Sequence, residues 1–367
     1  MLEHRVQPAI RGLRAYDPGH DLVALRRTAS EVLIELGSNE SPYGPSPKAR
    51  DAVQRCLDEL ALYPDSRGGD LKRALSKQHG VAVEQIVLGN GSHELLMQLA
   101  QVFAGPGAGV VASQYGFAVY AIAAAAVGAA FRAVSALPMD HAMAGGHDLD
   151  AIASVVDSNT HLVYLANPNN PTGTWFGAEA LARFLARIPS DVVVAIDEAY
   201  AEFVDVPEWA SAIPLVAKHP NLIVLRTFSK AHALAGLRVG YGIAQPELTG
   251  WVERVRESFN VNLPGLAAAE ASLGDPGHLA EGVRKNRSER ERLADELRSR
   301  GLFVFPSQTN FLLVRLGAET DRIDEALRGR GIVPRPMRGY GLPDCLRITV
   351  GSAKQNAKLL VALDAVR

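Results

Sequence analysis

From about residue 85 onward, the sequence alternates short runs rich in β-branched residues with segments long enough to be helices. The clearest runs occupy residues 109–112, 161–165, 191–196 and 221–225, and each leads into a polar or Gly/Pro-rich segment. This alternation is typical of a mostly parallel sheet covered by helices. Ligands of open parallel sheets bind outside the carboxyl ends of the strands. We therefore predict an α/β fold in which these polar segments meet at one site.

A change of pattern after residue 255 predicts a second, smaller unit. A long charged helix is expected near residues 279–300, followed by strand-like runs at 311–314 and 346–350. The Pro/Gly-rich stretch 38–47 is interpreted as an extended connector, and the alanine-rich run 118–131, too short to span a bilayer, as a buried helix. The predicted organisation is an N-terminal arm with part of the small domain (1–44), a large domain (45–255) and a small α+β C-terminal domain (256–367).

Composition and charge argue against several classes of partner. The 38 Lys and Arg residues against 40 Asp and Glu residues give a net charge of -2 without blocks of like charge, so no nucleic acid is expected. The two cysteines, Cys56 and Cys345, lie far apart and predict neither a disulfide framework nor a zinc cluster. The histidines lack metal-ligand spacing, and no metal is expected. No signal-peptide core is seen, so we expect a cytoplasmic protein without membrane attachment.

One lysine, Lys230, follows the predicted strand 221–225 in a phrase that also contains Thr227 and Ser229, and Arg238 comes shortly after. Two hydroxyls and a guanidinium could grip a phosphate while the amine forms a Schiff base with a carbonyl compound. Pyridoxal phosphate is the carbonyl cofactor that also brings a phosphate. The phrase alone is weak support, because a lysine after a strand is usually a solvated surface charge.

Two neighbouring strand ends carry groups suited to the same cofactor. Asp197 could pair with a protonated pyridine nitrogen and Tyr200 could reach the phenolic oxygen of the ring, although Asp197 could equally cap the following turn. Two Asn-Pro steps in residues 167–173 would hold an asparagine amide rigidly at the sheet edge. Such an amide could donate to the same ring oxygen.

Three further features have both a functional and a structural interpretation. The glycine-rich segment 89–94 precedes an amphipathic run, and the N–H groups of a helix start there would attract a phosphate, although Ser92 could simply be an N-cap. Tyr115 could stack on a flat ring, although packing is the commoner role. Arg347 lies in an apolar strand and needs a partner, either a substrate carboxylate or phosphate or a structural Asp or Glu.

These features occur in the order seen in class I and II aminotransferases, and the sequence most closely resembles the histidinol-phosphate aminotransferases among them. The resemblance covers nearly the whole chain and includes residues 15–19, 38–47, 63–65 and 346–351. It implies a fold-type I pyridoxal-phosphate enzyme with a mostly parallel sheet in its large domain. The implied reaction converts L-histidinol phosphate and 2-oxoglutarate into imidazole acetol phosphate and L-glutamate, a step of histidine biosynthesis.

The resemblance also implies a role for each site residue. Lys230 would carry the cofactor as a Schiff base and move the proton, while Asp197 would pair with the ring nitrogen. Asn170 and Tyr200 would meet the ring oxygen, with Tyr115 stacked on the ring. The phosphate contacts implied are the amides of Ser92 and His93, the side chains of Thr227, Ser229 and Arg238, and Tyr63 from the partner subunit of a homodimer. The substrate contacts implied are Arg347, Arg335 and Asn39.

Several alternatives share the cofactor contacts. An aromatic amino-acid aminotransferase would differ mainly in whether the pocket expects a phosphate, and Arg335 together with Arg347 favours the phosphate. A phosphothreonine decarboxylase-like enzyme would differ in which substrate bond breaks. A binding protein without turnover would be expected to lose Lys230 or Asp197, and a Rossmann dehydrogenase would need an acidic residue where the strand 109–112 ends. Family members often carry Asn or Asp where His93 stands, and Pro334 and Arg338 alter the segment expected to line the substrate end.

Overall fold

The computed structural model describes residues 2–13, 19–28 and 32–367, so residues 15–18 of the opening stretch noted above lie outside the described residues. The strands of the described chain are β1 (Ile34–Glu35), β2 (Ile86–Gly89), β3 (Gly109–Ser113), β4 (Ala130–Val134), β5 (Thr160–Ala166), β6 (Val193–Asp197), β7 (Leu222–Thr227), β8 (Gly240–Ile243), β9 (Phe303–Val304), β10 (Phe311–Arg315), β11 (Ile332–Val333), β12 (Arg335–Pro336) and β13 (Cys345–Thr349).

The α-helices follow the same chain order. They are α1 (Pro8–Arg11), α2 (Leu22–Thr28), α3 (Pro47–Arg55), α4 (Gly69–His79), α5 (Ser92–Phe103), α6 (Val119–Ala126), α7 (Leu149–Ser154), α8 (Ala178–Leu185), α9 (Pro246–Glu253), α10 (Leu263–Leu273), α11 (Pro276–Ser299), α12 (Thr320–Arg328) and α13 (Ala353–Val366).

The main sheet has the strand order β2-β8-β7-β6-β5-β3-β4, and within it β8 alone runs antiparallel to its neighbours. Its central strands are buried on both faces, because side chains alternate between two cores. On β5, for example, Val163 and Leu165 face the core beneath α4, α8 and α10, whereas Leu162 and Tyr164 face α5, α6 and α9. The predicted fold, a mostly parallel sheet between two layers of helices, is confirmed.

The C-terminal part forms a second core around an antiparallel sheet of order β12-β13-β10-β9, covered by α11, α12 and α13. β1 joins this part by pairing in parallel with β11, so that Ile34 lies beside Ile332. Helix α10 packs instead against the main sheet, through Ala268 and Ala269. We therefore propose the division into domains outlined above with one adjustment, namely that the small domain begins at α11.

One local prediction is wrong. The run 118–131 was expected to be a single buried helix, but α6 ends at Ala126 and Phe131 lies in β4. Gly128 adopts a left-handed backbone (φ 74°) that ends the helical segment, and the following residues pair in parallel with β3. Composition could not reveal this turn, because alanine and valine populate both kinds of element.

Candidate active site

A cavity of about 420 Å³ lies where β5, β6 and β7 end, beneath the connector at residues 38–40 and beside β12 and β13. Lys230 lies at this cavity, three residues beyond the end of β7. Its Nζ donates to the backbone oxygen of Ser38 (3.2 Å) and lies 5.9 Å from the centroid of the Tyr200 ring. Burial, with the nearby Arg347 guanidinium, lowers the pKa of the Lys230 amine to about 7. A substantial fraction of this amine is therefore neutral and nucleophilic near neutral pH.

Asp197 is the last residue of β6 and is buried at the cavity wall. Its Oδ1 accepts from the backbone N–H of Ala199 (3.1 Å), and its Oδ2 accepts from the hydroxyl of Tyr120 (3.3 Å). Burial raises the pKa of Asp197 to about 6, although both hydrogen bonds and the Lys230 charge oppose this rise. One carboxylate oxygen thus caps the following turn, as the structural interpretation supposed, and the side chain also faces the cavity.

One corner of the cavity, at the start of helix α5, carries groups that suit an anion. Helix α5 begins at Ser92 with Gly91 as its N-cap, so the interpretation of Ser92 as the N-cap is wrong. The N–H groups of the first helical turn have no intrahelical partners and attract negative charge. A Cβ on Gly91 would lie 2.3 Å from Nη2 of Arg238 and would displace that guanidinium, and Gly91 also has a positive φ of 77°, which favours glycine. Arg238 Nη1 in turn donates to Ser229 Oγ (3.2 Å).

The remaining residues of this corner come from the segments that sequence reasoning singled out. Ser92, His93, Thr227, Ser229 and Arg238 all line the cavity. A helix start, two hydroxyls and a guanidinium suit a phosphate, and the cradle left by Gly91 fits such a group. The donor set therefore matches the phosphate end of pyridoxal phosphate.

A network of amides and hydroxyls links Asn39, Tyr200, Asn170 and Arg347. Asn39 adopts a left-handed backbone (φ 56°), and its Nδ2 donates to Tyr200 Oη (2.8 Å). Burial raises the pKa of Tyr200 to about 12, so the phenol keeps its own proton to donate. Arg347 donates from Nη1 to Asn170 Oδ1 (2.5 Å) and from Nη2 to the Gly37 oxygen (2.6 Å). Both acceptors are uncharged.

The small domain contributes two arginines to the same cavity. Arg335 on β12 and Arg347 on β13 are directly opposite each other in the antiparallel ladder, and both are buried. Both side chains line the cavity that contains Lys230. Arg338, which was expected to alter the substrate end, instead forms an exposed ion pair with Asp321 on α12. It does not line the cavity.

The aromatic residue that lines the cavity near the end of β3 is not Tyr115, the residue expected to stack on the ring. Tyr115 lies in the turn after β3 and packs in the cluster that includes Tyr340 and Phe305, so it does not line the cavity. Phe117, two residues later, lines it instead, with the His93 ring edge-on at 6.3 Å. The strand ends at Ser113 and the chain then turns, which the sequence pattern did not reveal. The stacking role assigned to Tyr115 is therefore reassigned to Phe117 as a proposal.

A buried ion network, which the sequence reasoning missed, lies directly beside these residues. Arg226 precedes Thr227 on β7, and its guanidinium lies 2.7 Å from Glu198 Oε2 and 2.9 Å from Glu202 Oε1. Glu198 also accepts from the Ser211 hydroxyl (2.8 Å) and the backbone N–H of Ala212 (2.6 Å). The network joins the ends of β6 and β7 and thereby fixes the spacing of the residues that follow them.

The described residues contain neither a metal-binding cluster nor a helix able to cross a membrane. No group of three or more His, Cys, Asp or Glu side chains there is arranged to hold a metal ion. Cys56 and Cys345 are buried free thiols. None of the helices in the described ranges has the length and hydropathy needed to cross a membrane.

Comparisons with known proteins agree with this geometry. The family model "Aminotransferase class I and II" matches residues 31–366. The chain is 44% identical over 363 residues to histidinol-phosphate aminotransferase 2 of Pseudomonas aeruginosa, covering 98% of this chain and 97% of that relative. It is 46% identical over 336 residues to histidinol-phosphate aminotransferase 2 of Ralstonia nicotianae, covering 91% and 88%.

Solved structures give the same result. The histidinol-phosphate aminotransferase of Sinorhizobium meliloti in complex with pyridoxal-5'-phosphate superimposes with a TM-score of 0.89 at 31% identity, covering 99% of this chain and 97% of that one. A mutant of Thermus thermophilus aspartate aminotransferase, 20% identical with a TM-score of 0.85, shares the fold. The chain therefore belongs to the class I and II aminotransferases of fold type I, and within them to the histidinol-phosphate aminotransferase family.

Proposed function

We propose that the protein uses pyridoxal phosphate to transfer the amino group of L-histidinol phosphate to 2-oxoglutarate, giving imidazole acetol phosphate and L-glutamate in histidine biosynthesis. One observation carries the substrate assignment. Arg335 and Arg347 lie opposite each other on β12 and β13 and line the cavity of Lys230. Two guanidiniums on one wall suit substrates that carry a carboxylate or a phosphate. The names of the two bacterial relatives support the same choice.

The proposed cofactor contacts follow from the cavity. When bound, pyridoxal phosphate supplies a carbonyl that exchanges imines with amines and a ring that accepts the electron pair left by the α-proton. The N–H groups of Ser92 and His93, with Arg238 and the hydroxyls of Thr227 and Ser229, would hold its phosphate. Phe117 would cover one face of the ring.

Three further residues would orient the ring. Asp197 would pair through its carboxylate with the protonated ring nitrogen. The Tyr200 phenol would donate to the ring oxygen, because its own oxygen already accepts from Asn39. The amide NH₂ of Asn170 would donate there too, because its oxygen accepts from Arg347.

Lys230 would act as nucleophile and as proton carrier. With a pKa near 7, its amine can give up its place to the substrate amine, accept the α-proton in the neutral form and return it in the protonated form. The roof formed by the residue 38–40 connector limits the access of water to this amine. Arg347 would bind the carboxylate of glutamate, and Arg335 and Asn39 would assist at the other end of the substrate.

The test compares amino donors under identical conditions. Purified enzyme with 2-oxoglutarate is assayed for glutamate formation from L-histidinol phosphate and from L-phenylalanine. We expect kcat/KM to favour histidinol phosphate by more than about tenfold, because each charged hydrogen bond contributes about 1.5–3 kcal/mol. A preference for phenylalanine would make the protein an aromatic aminotransferase, and release of CO₂ from phosphothreonine would make it a decarboxylase.

A pair of variants tests whether Arg335 binds the phosphate of the substrate. Arg335→Gln should raise KM for histidinol phosphate by about tenfold or more and change KM for phenylalanine far less. Arg338→Gln is the matched control, because Arg338 is close in sequence but forms an exposed ion pair with Asp321. Equal effects of the two substitutions would contradict the assignment of Arg335 to the phosphate.

We also propose that the working unit is a homodimer in which Tyr63 reaches the phosphate site of the partner. Tyr63 is 81% exposed and stacks on Phe259, and the nearby Leu57, Leu60 and Leu62 are exposed as well. Such an apolar surface is typical of an interface. A mixture of Tyr63→Ala and Lys230→Ala chains should recover activity that neither variant has alone at limiting cofactor. No recovery in a mixed dimer would contradict the action of Tyr63 across the interface.

A further inference from the structure

Tyr120 is buried outside the cavity, in the core between the main sheet and α5, α6 and α9, and its hydroxyl is directed at Asp197. It belongs to α6, is 1% exposed, and donates to Asp197 Oδ2 (3.3 Å). A Cβ on Gly116 would lie 3.0 Å from the Tyr120 ring, so the glycine in the preceding turn allows the ring to approach. Phe117, from the same turn, meets Tyr120 edge-on (6.1 Å, 86°). One short segment thus provides both the cavity wall and the group behind Asp197.

The position of the Tyr120 ring is fixed by a second tyrosine. Tyr164 on β5 stacks parallel to it, with centroids 4.8 Å apart and an interplanar angle of 7°. The hydroxyl of Tyr164 donates to the backbone oxygen of Leu96 (2.6 Å), and so it anchors the stack without touching Asp197. Two buried phenols therefore lie side by side, and only one of them hydrogen-bonds to the carboxylate.

The direction of the hydrogen bond follows from the charges. Burial raises the pKa of the Tyr120 phenol well above its usual value, and the neighbouring Asp197 charge raises it further. The Tyr120 phenol therefore stays protonated, and its O–H donates a hydrogen bond to the Asp197 carboxylate. Burial likewise raises the pKa of Asp197 to about 6, a value at which a carboxyl is partly protonated in mildly acidic solution. A protonated Asp197 could not form an ion pair with a ring nitrogen.

We infer that Tyr120 is a positioning residue for the proposed reaction, one that keeps Asp197 ionised and oriented toward the cavity through a single hydrogen bond. This inference rests on the proposed function, since it requires Asp197 to pair with the cofactor ring. Tyr120 does not line the cavity, so its effect on the reaction would pass through Asp197.

Other titratable groups also face Asp197. Lys230 lies across the cavity, Glu198 is adjacent in the chain, and Tyr200 follows on the same segment. On the neighbouring strand β5, Ala166 is paired with Asp197, and its backbone N–H donates to Nε2 of His147. Burial lowers the pKa of His147 to about 4. These groups are the same in every variant below, so their contributions cancel in the comparison.

The experiment measures the affinity of the apoenzyme for pyridoxal phosphate from about pH 5.5 to 8.5 in the wild type, Tyr120→Phe and Tyr164→Phe. Loss of a hydrogen bond to a charged group should move the acid limb of the Tyr120→Phe profile up by about one pH unit. Its affinity should then fall about threefold near pH 6.5 and about eightfold near pH 5.5, but little at pH 8.5. Tyr164→Phe removes a buried hydroxyl of the same stack and should follow the wild-type profile.

Each outcome decides the inference. Superimposable profiles for wild type and Tyr120→Phe would overturn it while leaving the proposed function intact. An equal displacement in Tyr164→Phe would also overturn it, because the effect would then belong to packing of the stack. If the wild-type apoenzyme fails to bind pyridoxal phosphate at any pH, the proposed function fails, and the inference with it.

Discussion

Replacing Arg226 by methionine is expected to destabilise the protein by about 3–5 kcal/mol. The Glu198 side chain is 1% exposed and the Arg226 side chain 10%, so the substitution leaves a carboxylate buried without its cation. Methionine fills much of the arginine volume, and the loss is therefore electrostatic rather than a cavity effect. Glu198 keeps its hydrogen bonds from Ser211 and Ala212, which places the expected loss toward the lower end of the range.

The assay is urea unfolding followed by circular dichroism, with the free energy difference taken from the shift of the midpoint at constant slope. Arg300→Met is the matched control, because Arg300 also binds two carboxylates, Asp364 and Glu296, but near the surface. Exposed pairs contribute about 0–1 kcal/mol, so this control should unfold close to the wild type. Arg226→Lys retains the charge but lacks the separate nitrogens with which Arg226 reaches Glu198 and Glu202, and it should fall in between.

An equally small loss of stability in Arg226→Met and Arg300→Met would refute the proposed role of the ion network. That result would mean that Glu198 finds water or a proton at little cost once Arg226 is gone. Arg226→Met could also lose much of its free energy of unfolding while its folded fraction binds the cofactor as tightly as the wild type does. The network would then stabilise the protein without setting the spacing of Asp197 and Thr227.

Three further predictions concern the cavity itself. Lys230→Ala should remove the long-wavelength absorbance of bound cofactor together with turnover, and full activity in this variant would disprove the central role of the lysine. In the enzyme without cofactor, burial lowers the pKa of the Lys230 amine to about 7, so the neutral amine is present above that pH and lost below it. The rate at which the apoenzyme forms a Schiff base with added pyridoxal phosphate should therefore fall about tenfold per pH unit on the acid side; a flat rate profile down to about pH 5.5 would contradict this. Phe117→Ala should weaken binding of pyridoxal phosphate in equilibrium dialysis by about tenfold through loss of a ring contact, whereas Tyr115→Ala should have a smaller effect; the reverse order would restore the original assignment of Tyr115.

The sequence was sufficient to predict the architecture and the segments that meet at the cavity. Apart from their exposed first residues, hydrophobic runs such as 161–165 and 191–196 are buried on both faces, and this requirement leaves a strong pattern in the chain. Polar groups directly after such strands, Asp197 and Lys230 among them, must lie at one edge of a parallel sheet. Arg347 was recognisable because a charge within an apolar strand needs a reason.

The features that escaped sequence reasoning depend on geometry that has no local pattern. The choice between Tyr115 and Phe117 depends on how the chain turns after Ser113, and either aromatic fits the same alternation. The ion network needs Arg226 and Glu198 to be brought together across two strands 28 residues apart. Neither distance nor orientation at that separation can be read from composition or periodicity.

The parallel pairing of β1 with β11 means that this early strand finds its partner only after a much later segment of the chain has been made. The connector that covers Lys230 is made early, but Asn39 is held by Thr349, 310 residues later, and Gly37 by Arg347. Closing so long a loop is entropically costly and waits for contacts that only the last strands supply. A ribosome-bound chain can therefore complete its main sheet before the connector at residues 38–40 is fixed in place over Lys230. We therefore expect chemistry at Lys230 to await the synthesis of residues 347–349, which hold the connector in place.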